Sequence, residues 1–147
     1  MNNNPITANL LRTPAFVIAN TFLGVSAYDE NQFYPLTPLR MQLLCYAANK
    51  LHHTKHMVRL FYEDFIVIEM DNMLVPVLPS LSCLYNNKMG FVRNIGGDAT
   101  VVDTRVRSTA VSTLTQVWEE TRCLSNKEII AKYIGIIKQN VGEVLPC

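Results

Sequence analysis

The chain has 147 residues, 49% of them hydrophobic and 17% charged, with a formal net charge of +1. That length sustains one domain with a real core and is short for two. The balance excludes a disordered chain and a polyelectrolyte that binds through bulk charge.

One folded domain is expected over residues 13–147, preceded by a flexible, asparagine-rich tail over residues 1–12. Thr13-Pro14 is a helix start signal, because a threonine oxygen caps free N–H groups and proline loses nothing at the first helical position. Phe16, Ala19, Leu23 and Ala27 follow at helical spacing. The polar stretch Asp29 to Gln32 breaks that helix, and Phe33-Tyr34-Pro35 leads into a second start at Thr37-Pro38. From there Leu39, Met41, Leu43, Leu44, Cys45, Tyr46, Ala47, Ala48 and Leu51 are too dense for one apolar face. This predicts a central helix covered on several sides.

His52 to His56 end that pattern with basic or titratable groups, which suit a helix C-terminus. FIVIEMDNMLVPVL reads as a β-hairpin about Asp71-Asn72, although the turn has no glycine. Pro76 and Pro79 suit a strand edge and a helix entry, so a short helix is expected within Val77 to Tyr85. A loop-rich passage with short extended pieces at Phe91-Val92 and Thr100 to Val102 comes next. Another helix begins at Ser108, with Val111, Leu114, Thr115, Val117, Trp118 and Thr121 near one side. Ser125 and Glu128 form a capping-box signature that opens a last helix, packed through Ile129, Ile130, Tyr133, Ile136 and Ile137. The fold class expected is mainly α (α+β): about five helices around the central one, with a small antiparallel β element between helices two and four.

Cys45, Cys83, Cys123 and Cys147 lie far apart without a C-x-x-C pair and read as free thiols of a reducing compartment. There is neither a signal-like start nor an apolar run near the ~20 residues that span a bilayer. A cytoplasmic location is expected.

PLTPLRMQLLCYAANKL, LFYEDF and VPVLPSL, in that order, resemble the central motifs of the Panacea (SocA-like) antitoxin family. PAFVIANTFLGVSA and QVWEETRCLSNKEI are similar to the family's opening and closing helices, so the resemblance runs over residues 13–137. Departures stand at Val75, where the family has glycine, at Leu43 and Ser82, and over Glu69 to Asn72, where the family has an acidic-Ala-Trp triplet. The resemblance implies a non-enzymatic antitoxin of a mainly helical fold, which neutralises a toxin by direct binding or delivers it to a protease.

The candidate chemical groups read more simply as structure. His52 and His56, four apart, could share a helix face with Cys45 and His53 nearby, but no third metal ligand is evident and a solvated helix end is the better reading. Glu63 and Asp64 have no positioned partner for acid–base work, and as part of the F-x-E-x-F connector are expected to fix the fold. Arg93, Arg105 and Arg107 lack the interleaved aromatics of a nucleic-acid site. Ser80, Ser82 and Cys83 lie outside any nucleophile motif. Trp118 is most simply core, yet would anchor a partner if exposed.

The resemblance therefore implies a phage- or mobile-element-encoded, antitoxin-like protein, and the residues themselves give no expectation of a catalytic group, metal or cofactor. Its expected partner is a cognate toxin or a host target such as a defence protein, with a protease as a further partner and neither membrane nor nucleic acid. Phe61, Phe65, Met73, Leu74, Val75 and Pro76 are the expected partner-binding residues.

Overall fold

A computed structural model describes residues 15–29, 33–61, 63–82 and 108–146. Within them lie α1 (Ala15–Tyr28), α2 (Pro38–His56), β1 (Phe65–Met70), β2 (Met73–Val77), α3 (Pro79–Ser82), α4 (Ser108–Thr121), α5 (Asn126–Ile129) and β3 (Val144–Leu145). The fold is mainly α with a small three-stranded antiparallel sheet of order β2-β1-β3. The expected N-terminal tail, the Thr13-Pro14 start, the loop-rich passage, Cys83 and the three arginines lie outside the described residues.

The organising element is α2. Thr37 sits in extended geometry and its Oγ1 accepts the Arg40 N–H at 3.2 Å, while Pro38 occupies the first turn. The helix ends on Met57, left-handed at φ 59°, whose N–H donates to the His53 carbonyl. Every residue from Leu39 to Asn49 is buried, because α1, β2, α4 and α5 all pack against this helix. A helix buried around its girth must place its polar side chains where partners exist. Gln42 does so by pairing with the backbone of Leu78, accepting its N–H at 2.8 Å and donating to its carbonyl at 3.4 Å. Asn49 Oδ1 accepts the Leu60 N–H at 2.8 Å and so fixes the chain as it leaves the helix.

The hairpin forms about Asp71 and Asn72, at φ 51° and 63°. Two successive positive φ values make the primed turn whose twist matches the strands, and Asp and Asn tolerate it without glycine. Val67 pairs opposite Pro76, and its N–H and C=O bond to Glu143 and Gly142 on the β3 side. The missing N–H of Pro76 therefore faces away from β1, where a strand can do without it.

Of the stripe expected on α4, Leu114, Val117, Trp118 and Thr121 are buried, Val111 is half-buried and Thr115 is exposed, while Ala110 and Thr113 complete the buried face. Thr113 and Thr121 return their hydroxyls to the carbonyls four residues back, at 3.1 and 2.7 Å. Ala27, expected on the packed side of α1, is exposed, whereas Ala19 and Leu23 are buried. The capping box at Ser125 is complete, with Ser125 Oγ accepting from Glu128 N–H and Glu128 Oε1 accepting from Ser125 N–H.

The last helix is shorter than its apolar spacing predicts. After α5 the chain passes into a π-helical turn, Ile130–Ile134, and stops at Gly135, where φ is 74°. Ile136 is consequently 90% exposed instead of packed with Ile129 and Tyr133. The chain then returns to add β3 beside β1, with Phe65 opposite Leu145. Two residues of strand give no periodicity to read, so this element had no sequence signal.

Candidate partner-binding surface

Four of the six residues expected to face a partner are interior. Phe61, Phe65, Val75 and Pro76 are buried. Phe65 stands edge-on to Tyr46 and Phe61, with ring centroids 5.0 and 5.8 Å away. Val75 and Pro76 lie on the strand that packs against α2. The apolar character taken for a docking surface is the character of core. Met73 is half-buried and Leu74 is 38% exposed, so these two alone keep solvent access.

The acids of the connector hold the fold together. Glu63 accepts the backbone N–H of Ser80 at 3.2 Å, and its other oxygen meets the Ser80 hydroxyl, which ties the connector to the start of α3. Asp64 pairs with Arg59 at 2.9 Å, and Arg59 also donates to the Glu63 carbonyl.

Among the described residues no group of three His, Cys, Asp or Glu is placed to hold an ion. Thr113 gives its proton to the Thr109 carbonyl, so its oxygen accepts from His52 Nδ1 at 3.0 Å. Burial, and then the neighbouring His56 ring 4.7 Å away, lower the His52 pKa. Cys45 is fully buried, and that burial pushes its thiol well above the ordinary range, which makes it inert.

Two exposed aromatics lie elsewhere. Tyr28, the last residue of α1, is 74% exposed, and Phe33, just before α2, is 69% exposed. Between α1 and α4 opens a groove of about 390 Å³, lined by Val25, Tyr28, Asp29, Trp118, Glu119 and Arg122. Trp118 is packed against Phe22 below, at 6.4 Å between centroids, and donates its indole N–H to Asp29 Oδ2 at 2.7 Å. Asp29 Oδ1 accepts from Arg122 at 2.9 Å. One carboxylate thus orients both the tryptophan and the arginine of the groove.

A second groove, of about 370 Å³, lies between the start of α2 and the hairpin tip, with Tyr34, Pro35, Leu39, Asp71, Met73 and Lys127 on its walls. Its inner wall includes Arg40, which is buried beneath the Tyr34 ring at 4.8 Å. Burial lowers the Arg40 pKa, and the desolvated guanidinium is compensated by the carbonyls of Thr121 and Leu124, at 2.8 and 2.9 Å, and by Asn126 Oδ1 at 3.2 Å. Arg40 therefore fixes the turn from α4 to α5, whose residues border both grooves. Asp29 and Phe33, four residues apart, have Cα atoms within roughly 14 Å of one another. Arg122 lines the first groove and Ser125, three residues on, the second, so the two grooves adjoin at this turn. Sequence reasoning reached Met73, Leu74 and Trp118, but missed Tyr28 and Phe33, whose only signal was an aromatic on either side of a polar break.

No helix among the described residues is long and apolar enough to cross a membrane. No protein-family profile, curated protein or solved structure matches the chain.

Proposed function

We propose that the chain is an antitoxin-like, protein-binding protein of a phage or mobile element, acting in the cytoplasm by covering a partner protein. The observation that carries this reading is the pair of open grooves beside exposed Tyr28 and Phe33, with Trp118 and Arg122 held at one of them. Tyrosine, tryptophan and arginine in a partly desolvated setting are the residue types that dominate binding energy at protein interfaces. The resemblance to Panacea antitoxins agrees with such a role, although four of the six residues first expected to carry it are core.

A second reading keeps the scaffold and changes the partner to a host protein, such as a defence component. It is favoured by the position of one departure from the family motifs, the lost triplet over Glu69 to Asn72: Asp71 lines the second groove, and Asp71-Asn72 is the exposed hairpin tip. The test is affinity capture of the tagged chain from cells carrying its native genetic neighbourhood, with bound proteins identified by mass spectrometry. Stoichiometric capture of a neighbouring gene product, lost on Tyr28→Ala and Phe33→Ala, is the expected result. A host protein captured with the same dependence selects the second reading, and capture insensitive to both substitutions rejects this surface.

A further inference from the structure

The groove between α1 and α4 has an electrostatic character that narrows what it can take. Asp29 and Glu119 each contribute a negative charge and Arg122 one positive charge, so the rim is formally −1. Asp29 is committed to fixed partners, with one oxygen on the Trp118 indole N–H and the other on Arg122. Glu119 is in a different state. Its side chain is 63% exposed and lies 3.8 Å from Arg122 Nη1, an ion pair beyond hydrogen-bond length. It can accept donors from outside without breaking a good contact.

We infer that this groove, as part of the protein-binding surface proposed above, receives a basic segment of the partner. An apolar side chain of the segment enters against Val25 and Trp118, and an adjacent lysine or arginine meets Glu119. The exposed face of Tyr28 offers the same cation a second favourable contact, since the negative face of an aromatic ring attracts a cation. An acidic segment fits poorly, because it has to compete with Asp29 and Glu119 for a single guanidinium and is repelled by both. A strongly basic segment without apolar residues leaves the floor unfilled. The occupant is therefore an amphipathic basic stretch, and its inference rests on the reading of this face as a binding surface.

Trp118 is the chain's single tryptophan and lines this groove, so its emission responds to what enters there, with the unfolding signal of the core it packs into recorded separately. The purified full chain is titrated with three acetylated, amidated octapeptides, alternating Leu and Lys, Leu and Glu, or Ser and Lys. The Leu-Lys peptide is expected to give a saturable change in tryptophan emission. The Leu-Glu and Ser-Lys peptides should bind at least five-fold more weakly. Glu119→Gln should weaken the Leu-Lys peptide about five-fold, the scale of one exposed ion pair of about 1 kcal/mol, and Glu119→Lys should turn the preference toward Leu-Glu. Glu119 is exposed, so neither variant endangers the fold. Equal response to the Leu-Lys and Leu-Glu peptides, an unchanged preference in Glu119→Lys, or no response overturns the inference. So does an emission change that follows protein concentration without peptide, which marks a second copy of the chain as the occupant. If the peptides do not discriminate while Tyr28→Ala still abolishes capture of the cellular partner, the basic-segment inference fails and the protein-binding reading stands.

Discussion

Arg40 and Thr121 are joined across 81 positions of sequence: the guanidinium Nη2 of the first donates to the carbonyl of the second at 2.8 Å. The same side chain serves Leu124 and Asn126, so a residue of the first turn of α2 satisfies the frayed carbonyls where α4 ends. Without it the Thr121 carbonyl keeps only the Leu124 N–H at 2.9 Å, and the Leu124 carbonyl and Asn126 Oδ1 lose a charged donor. Arg40→Ala should cost about 1.5–3 kcal/mol, the scale of hydrogen bonds from a charged donor to neutral acceptors. Arg40→Lys should recover only part of it, because an ammonium cannot reproduce the planar fork that spans three oxygens. Urea unfolding of the two variants beside the parent chain measures both.

Glu120 is held ionised by its neighbours. Tyr133 donates to it at 2.7 Å and Gln116 at 2.7 Å, with Lys132 at 3.1 Å, and together they pull its pKa down to about 2, the Tyr133 hydrogen bond first. Burial, with the same hydrogen bond, pushes the Tyr133 hydroxyl upward, so both partners favour an ionised carboxylate and a neutral phenol. The folded chain binds the Glu120 proton less readily than the unfolded one. Its contribution is therefore fully present above the ordinary carboxylate range and is lost as pH falls toward 2. Tyr133→Phe should raise the Glu120 pKa toward the ordinary range and cost about 1 kcal/mol at neutral pH. A carboxyl-detected NMR titration reads the first effect and urea unfolding the second.

His52 works in the opposite chemical sense with the same slope. Its folded-state pKa is lowered, by burial first and by His56 second. Below the ordinary imidazole range the unfolded chain takes up a proton that the folded chain resists, so stability falls as pH drops. Above that range both states are neutral and stability is complete. His52→Gln should flatten stability between pH 7.5 and about 5 relative to the parent chain, as followed by urea midpoints at each pH. A parent profile already flat over that interval contradicts the assignment.

Phe65 and Tyr28 should separate folding from binding. Phe65→Ala removes a fully buried ring and should cost about 3–5 kcal/mol of stability. Tyr28→Ala, at an exposed helix end, should stay within about 0.5 kcal/mol while weakening partner binding by about 1 kcal/mol or more. Thermal unfolding and the affinity for the captured partner, measured on the same preparations, check both halves. A Tyr28→Ala chain that unfolds as readily as Phe65→Ala misplaces the surface.

The sequence by itself determined what depends on residues within a few positions of one another. The Thr37 cap, the Ser125–Glu128 capping box and the Asp71-Asn72 turn between β-branched runs are each closed by contacts three residues apart or fewer, and all are present. The density of apolar residues along α2 likewise announced a helix enclosed on several sides, because no single face could hold them. Tertiary structure decided which apolar groups are exposed and which are core. Phe61, Phe65, Val75 and Pro76 have the composition of an interface and of a core alike, and only the helix packed against them settles that they are core. It also placed Asp29 on Trp118 and Arg122, across 89 and 93 positions, which turns the end of α1 and the side of α4 into one groove. No local pattern encodes such a meeting, since its geometry is set by how two helices pack rather than by the spacing along either one.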